Sequence, residues 1–228
     1  KKRLLITGGS GFLGSHLTEQ LLKQGHKITI VDNCLSSVVP VDFFGNQCEV
    51  VVAGIENYAS SDCFDQIYHC ASIVGPAGVL PFGGTLGLEI LLGTKRVIDL
   101  SIEMKSKLLF VSTSEVYGRH GTFHEEVPKT VPAAVSVRLE YGVGKLLGEL
   151  MILNQIRISN LTANIIRPFN IIGPRQSSKG GFVVPCFMKA ALINEDITVF
   201  GAGQQFRAFT HVSDIVDGLV RCLKLPKK

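Results

Sequence analysis

Short apolar runs closed by glycine or a small polar residue alternate along the chain with longer stretches whose apolar positions recur at helical spacing. Residues 3–7, 27–32, 48–53, 65–70 and 107–112 read as buried strands, being short and largely apolar. Between several of them lie helical patterns, at 15–24 and 86–105, and a further one runs from Tyr141 to about Ile158 before a strand at 163–167. Strand–helix–strand alternation of this kind predicts an α/β fold, a doubly wound parallel sheet of the Rossmann type with helices on both faces. From Pro168 onward the texture changes: Gly-Pro, Ser-Ser-Lys-Gly-Gly and Gly-Ala-Gly loops separate short elements, with one more helical pattern at 212–223. The expected division is therefore a sheet domain over residues 1–167 and a small lobe over 168–228.

Composition changes this picture little. A chain of 228 residues with 46% hydrophobic content can bury a substantial core. The net charge of +4 is scattered, with no basic stripe interleaved with aromatics, so a nucleic-acid partner is not expected. Six cysteines, at 34, 48, 63, 70, 186 and 222, form no CxxC pair and read as thiols in a reducing compartment. The first residues pass from Lys1-Lys2-Arg3 into a brief apolar run, without the length or cleavage site of a signal peptide. With no apolar run near the length that spans a bilayer, a soluble, cytoplasmic protein without a membrane partner is expected.

The first candidate site follows the first strand. Gly8, Gly11 and Gly14 give the spacing GxxGxxG between a strand and a helix, with Phe12 and Leu13 opening that helix. This context suits a tight turn that lets a pyrophosphate approach the helix N-terminus. The second strand ends in Asp32, 18 residues beyond Gly14, followed by Asn33. A carboxylate there would accept hydrogen bonds from both ribose hydroxyls of an adenosine and repel a 2′-phosphate, which selects NAD over NADP. The plainer alternative is an aspartate that caps the turn before Asn33. Ala71 and Ser72, after the fourth strand, are small enough to let a cofactor lie close.

The second candidate site is Tyr141 with Lys145, one helical turn apart on one face. An ammonium beside a phenol lowers the phenol's pKa from about 10, so the pair can take a proton from a substrate hydroxyl. Alone, a Tyr-xxx-Lys spacing more often marks a solvated helix face. What raises it is the run Ser112-Thr113-Ser114-Glu115 at the end of a strand, because carboxyl ends of strands in such a sheet converge on one crevice. Thr113 would position the reacting hydroxyl and Glu115 would supply a second acid or base. His120 and His124 lie four apart in a Gly- and Glu-rich loop without further ligands, so no metal is expected.

These blocks, together with Asp65-Gln66-Ile67-Tyr68-His69, Ser112 through Gly118, Arg167-Pro168-Phe169-Asn170, Gly173-Pro174-Arg175 and Arg207-Ala208-Phe209, resemble the extended short-chain dehydrogenase/reductase family. More narrowly, the chain resembles its NAD-dependent nucleotide-sugar epimerases, dehydratases and decarboxylases, and most of all the UDP-glucuronate decarboxylases. The resemblance implies Tyr141 as base, Lys145 as its tuner and a nicotinamide-ribose contact, and Thr113 as hydroxyl positioner. It implies that Asn170 and Arg207 hold the diphosphate of a UDP-sugar, that Arg175 is a further substrate-binding residue, and that copies pair through the helices at 86–105 and 141–158 as a homodimer. Three positions depart from the pattern. Gly54-Ile55-Glu56 replaces an expected aspartate near the adenine, Phe182 stands where the decarboxylases carry arginine, and the lobe looks incomplete at Lys228.

The chemistry implied is transient oxidation at C4 of the sugar, followed by decarboxylation, water elimination or return of hydride to the other face. Three other readings remain beside a decarboxylase: a UDP-sugar 4-epimerase, an NAD(P)H-dependent reductase of a small carbonyl compound, and a non-catalytic NAD-binding protein.

Overall fold

The computed structural model describes residues 1–225 except 119–122, 127–130, 132 and 134. Six strands form one parallel sheet: β1 (Arg3–Thr7), β2 (Lys27–Asp32), β3 (Glu49–Val52), β4 (Gln66–His69), β5 (Lys107–Val111) and β6 (Thr162–Ile166). Their order is β3-β2-β1-β4-β5-β6, so the chain runs outward from β1 to one edge, returns, and runs to the other. That reversal beside β1 creates a crevice at the carboxyl ends of β1 and β4, where a doubly wound sheet takes its ligand.

Alternate residues of each strand serve two cores. Leu4 and Ile6 of β1, Ile28 and Ile30 of β2, Tyr68 of β4 and Leu109 of β5 face one side. There they meet Leu17 and Leu21 of α1 (Phe12–Lys23) and Val216, Leu219 and Val220 of α5 (Val212–Cys222). Leu5, Val31, Ile67, Leu108 and Phe110 face the other side. They meet Val97, Ile98 and Leu100 of α2 (Leu86–Glu103) and Ile152 of α3 (Val137–Ser159). Because both faces are covered, the central strands β1, β2, β4 and β5 bury nearly every residue, polar ones such as Thr29, Gln66 and His69 included.

The sheet strands lie within one residue of their expected ends, and α1 and α3 begin earlier than expected, at Phe12 and Val137. For α3 the reason is a cap: the Ser136 hydroxyl accepts the N–H of Leu139 at 3.1 Å. Beyond residue 167 the chain forms β7 (Asn170–Ile172), α4 (Val183–Leu192) and β8 (Phe209–His211), with β7 and β8 paired parallel in a two-stranded sheet of their own. The boundary expected at 167/168 falls between β6 and β7. From beyond it α5 packs back on α1, so the C-terminal residues reach into the first core.

Candidate active site

At the head of the sheet, β1 turns into α1 through Gly8, Gly11 and Gly14. Gly8 has φ +71°, and a Cβ on it would lie 2.7 Å from the Ala71 backbone nitrogen. Only a glycine lets the two strand ends approach this closely in that conformation. A Cβ on Gly14 would drive into the Gly8 carbonyl, and one on Gly11 would sit 3.2 Å from the same oxygen. No side chain caps α1 at Gly11, so the N–H groups of Phe12 and Leu13 leave its first turn without an intrahelical acceptor. A bare backbone at a helix N-terminus is the cradle that a pyrophosphate requires, and the residues present fit a dinucleotide.

Asp32 ends β2 buried beneath this loop. Its Oδ2 accepts the N–H of Ser10 at 2.9 Å, while Oδ1 accepts the N–H of Cys34 at 2.9 Å and the Ser37 hydroxyl at 3.3 Å. The carboxylate thus ties the glycine loop to the end of β2 and also caps the turn after it. Asn33 is exposed, and its side chain accepts the N–H of Leu35 at 3.2 Å. On the other flank, Thr7 Oγ1 accepts the N–H of Ala71 at 3.2 Å and shares a hydrogen bond with Nδ1 of His69, 2.7 Å away. His69 is buried, stacks on Phe110, and is held neutral, its pKa pushed down to about 3 by burial and then by Lys145. Together Thr7 and His69 fix the path of the strand end that leads to Ala71 and Ser72. At the departure noted above, the Glu56 carboxylate folds back over Gly54.

Next to this cradle, α3 crosses the carboxyl end of β5. Three residues on one face of α3 hold three consecutive residues of the chain. Tyr141 hydrogen-bonds the Thr113 side chain. Lys145 Nζ donates to the Val111 carbonyl at 2.9 Å. Glu149 Oε1 accepts the Ser112 hydroxyl at 2.5 Å. Thr113 Oγ1 also accepts the N–H of Glu115 at 3.2 Å, starting a single tight turn, Ser114–Tyr117, that carries Glu115. The Glu115 carboxylate forms an ion pair with Arg138, a partner given no role on the sequence alone.

The electrostatics differ from the simple tuning expected of Lys145. Burial pushes the Tyr141 phenol up to about 12; the Thr113 hydrogen bond lowers it and Glu115 raises it. Burial lowers Lys145 to about 8, against the raising effects of Cys70 and then Glu149. The ammonium is committed to Val111 and lies 4.9 Å from the centre of the Phe110 ring. As it stands, the phenol keeps its proton at neutral pH.

The lobe residues are distributed more loosely. Asn170 Nδ2 donates to the Ala208 carbonyl at 2.9 Å, so β7 carries it beside the residue that follows Arg207. Arg207 is exposed and donates to the Phe206 carbonyl at 2.8 Å. Arg175 is not gathered with them. Its guanidinium pairs with Glu19 at 2.7 Å and reaches His16 Nδ1 at 2.7 Å, both on α1. Phe182 packs its ring against Gly180 and Gly75, where Ala77 N–H also donates to the Gly180 carbonyl at 3.1 Å. Of the two histidines weighed for metal, His120 lies outside the described residues.

Residues 4–228 match the NAD dependent epimerase/dehydratase family. The chain belongs to that family. Within it, the chain is 36% identical over 232 residues to the UDP-N-acetyl-alpha-D-glucosaminuronate decarboxylase of Bacillus cytotoxicus, covering 98% of this chain and 71% of that protein. It is 37% identical over 234 residues to UDP-glucuronic acid decarboxylase 1 of Xenopus tropicalis, covering 96% of this chain and 53% of the relative. The chain thus spans between half and about seven tenths of the length of these epimerase/dehydratase relatives. Among solved structures, the UDP-glucuronic acid 4-epimerase of Bacillus cereus, in complex with UDP-glucuronic acid and NAD, superposes with TM-score 0.83 at 26% identity. That match covers 99% of this chain and 74% of the epimerase.

Proposed function

We propose that the chain carries the NAD site and the reacting residues of an enzyme that modifies a UDP-sugar through transient oxidation at sugar C4. The observation that carries this reading is the meeting of Thr113, Tyr141 and Lys145 at the end of β5, beside the Gly8–Gly11–Gly14 cradle. Gly8, Gly11, Phe12, Leu13 and Gly14 would hold the pyrophosphate, and Asp32 and Asn33 the adenosine ribose. Ala71, Ser72, Tyr141 and Lys145 would border the nicotinamide half. When bound, NAD supplies the hydride acceptor and a positive charge that lowers the Tyr141 phenol.

Tyr141 then takes the proton of the sugar hydroxyl, and Thr113, already hydrogen-bonded to it, orients that hydroxyl. Asn170 opens β7, Arg207 lies two residues before the paired strand β8, and they offer an amide and a guanidinium for a diphosphate. Arg175, proposed as a further substrate-binding residue, starts from an ion pair with Glu19 on α1. Glu115, held by Arg138, is the acid or base for proton traffic after oxidation. Two relatives named as decarboxylases favour loss of carbon dioxide from a uronate over plain epimerisation.

The test is incubation of the purified protein with UDP-glucuronate and with UDP-glucose, with and without NAD, followed by mass spectrometry. Loss of carbon dioxide from the uronate supports the decarboxylase, and unchanged mass with a new chromatographic peak supports the 4-epimerase. No change in either sugar under any condition counts against the reading.

A second copy of the chain is the proposed partner. Leu88 and Leu92 on α2 and Val143, Leu147 and Leu150 on α3 are exposed and fall at helical spacings on two neighbouring helices. An apolar stripe of this kind suits a two-fold helix pairing. No described helix is long and apolar enough to cross a membrane, and the six cysteines are free thiols, which suits a cytoplasmic setting.

A further inference from the structure

Glu149 and Arg167 have no part in the reading above, although both lie against it. Glu149 follows Lys145 by one turn on α3, and its side chain is 1% exposed. Arg167 follows β6, its side chain 17% exposed. The guanidinium grips the carboxylate with a two-pronged fork, Nε to Oε1 at 2.9 Å and Nη2 to Oε2 at 2.6 Å. The same Oε1 accepts the Ser112 hydroxyl, and the Ser112 N–H donates to the Ile166 carbonyl at 2.7 Å. Ser112 is thereby tied at its side chain to α3 and at its backbone to β6.

Fold stability alone gives weak reason for such a pair. Desolvating two charges offsets most of their attraction, and apolar side chains of similar volume often hold a core as well or better. What the pair supplies that apolar residues would not is a fixed direction. It sets the residue between Val111, bonded to Lys145, and Thr113, bonded to Tyr141. It also reaches the turn that carries Glu115. The Arg167 guanidinium lies 4.9 Å from the centre of the Tyr117 ring, and Tyr117 stacks on Phe169 at 5.9 Å.

We propose that Glu149 and Arg167 are positioning residues, whose buried ion pair holds Ser112, and with it Thr113, in register with Tyr141 and Lys145. This rests on the reading of Thr113, Tyr141 and Lys145 as the reacting groups. The geometry requires two variants. Glu149→Gln keeps an acceptor for Ser112 but removes the charge that aligns Arg167. The double variant Glu149→Leu/Arg167→Met removes both charges and leaves no buried ion unpaired.

Each variant is compared with the wild-type protein by thermal unfolding, by NAD affinity from calorimetry, and by kcat and KM on whichever UDP-sugar the wild type converts. Methyl NMR adds a readout that needs no turnover: the cross-relaxation between the Thr113 methyl and the Tyr141 ring. The expected result is folded variants with NAD affinity and KM close to wild type. Their kcat should fall about 10- to 100-fold, the effect of a small misplacement of reacting groups, and the Thr113–Tyr141 signal should weaken. Folded variants with wild-type kcat, or with an unchanged Thr113–Tyr141 signal, would overturn the proposal. So would failure of both variants to fold, which would make the pair a plain stability element. If the wild type converts no UDP-sugar, the functional reading is lost and the Thr113–Tyr141 signal decides this one alone.

Discussion

Lys145 is buried with its Nζ 2.9 Å from the carbonyl oxygen of Val111, so a helix and a strand end are joined through a charge taken out of water. Burial holds its pKa at about 8, below the ordinary 10.5, which means that the folded protein releases this proton before the unfolded chain does. Below about pH 8 both states are protonated and the folded state bears the full desolvation cost. Between about pH 8 and 10.5 the unfolded state binds more protons, so stability rises with pH through that window. The interval corresponds to about 3 kcal/mol.

Lys145→Met should therefore be a variant whose stability relative to wild type depends on pH. Urea unfolding at a series of pH values should show its advantage, whatever its size at pH 7, shrinking by about 3 kcal/mol between pH 8 and 10.5. A difference that stays constant across the window would mean that the Lys145 charge is not desolvated as its surroundings imply. Activity should be lost in the variant at every pH.

Tyr141→Phe removes one hydroxyl beside Thr113 and leaves the ring among Val79, Leu86 and Ile90. The fold should survive, with a melting temperature near that of wild type, and kcat should drop by about 10²- to 10⁴-fold, the range for loss of a positioned acid–base group. Glu115→Gln should act later in the reaction. The sugar should still be oxidised, seen as a rise in reduced-nicotinamide absorbance, while release of the final product slows. Retention of full turnover in Tyr141→Phe would refute the assignment of the base.

The glycine cradle gives a sharper structural test. Gly14→Ala sets a methyl against the Gly8 carbonyl, and Gly8→Ala forces an L residue to φ +71° against the Ala71 backbone. Each should weaken NAD binding by at least about tenfold in calorimetry, because the backbone that must receive the pyrophosphate is displaced. Gly25→Ala, whose Cβ meets nothing within 4 Å although φ is +78°, serves as control: it should lower stability modestly without touching NAD affinity.

The parts of this structure that could be read from the sequence are those where burial leaves a local signature. Most sheet strands are buried on both faces and so stand out as short, largely apolar runs, and the spacing of Gly11 and Gly14 follows from local clashes with the Gly8 carbonyl. The elements that went unread, β7, β8 and α4, contain no buried residue, and the two strands are only three residues long. Arg175 was expected among the substrate-binding residues from the resemblance, and its long-range ion pair with Glu19 on α1 has no local signature in the sequence. The Glu149–Arg167 pair was hidden for the same reason, although the position of Glu149 four residues after Lys145 placed it on the reacting face of α3.

The stripe on α2 and α3 yields the last prediction. The two helices pack closely through small residues: a Cβ on Gly144 would lie 3.3 Å from the Gly87 Cα, and the Glu140 carboxylate accepts the N–H groups of Gly84 and Gly87. With their facing sides pinned, the two helices still leave Leu92 47% and Leu147 42% exposed. Covering that surface with a second copy removes apolar area from water at roughly 25 cal/mol per Å². A charge placed there would be desolvated on pairing but harmless in a lone chain. The double variant Leu92→Glu/Leu147→Glu should accordingly elute as a monomer in size-exclusion chromatography with light scattering, while wild type elutes as a dimer, and its circular dichroism should stay unchanged. A wild-type monomer would refute the pairing, and a variant that remains dimeric would move the interface elsewhere.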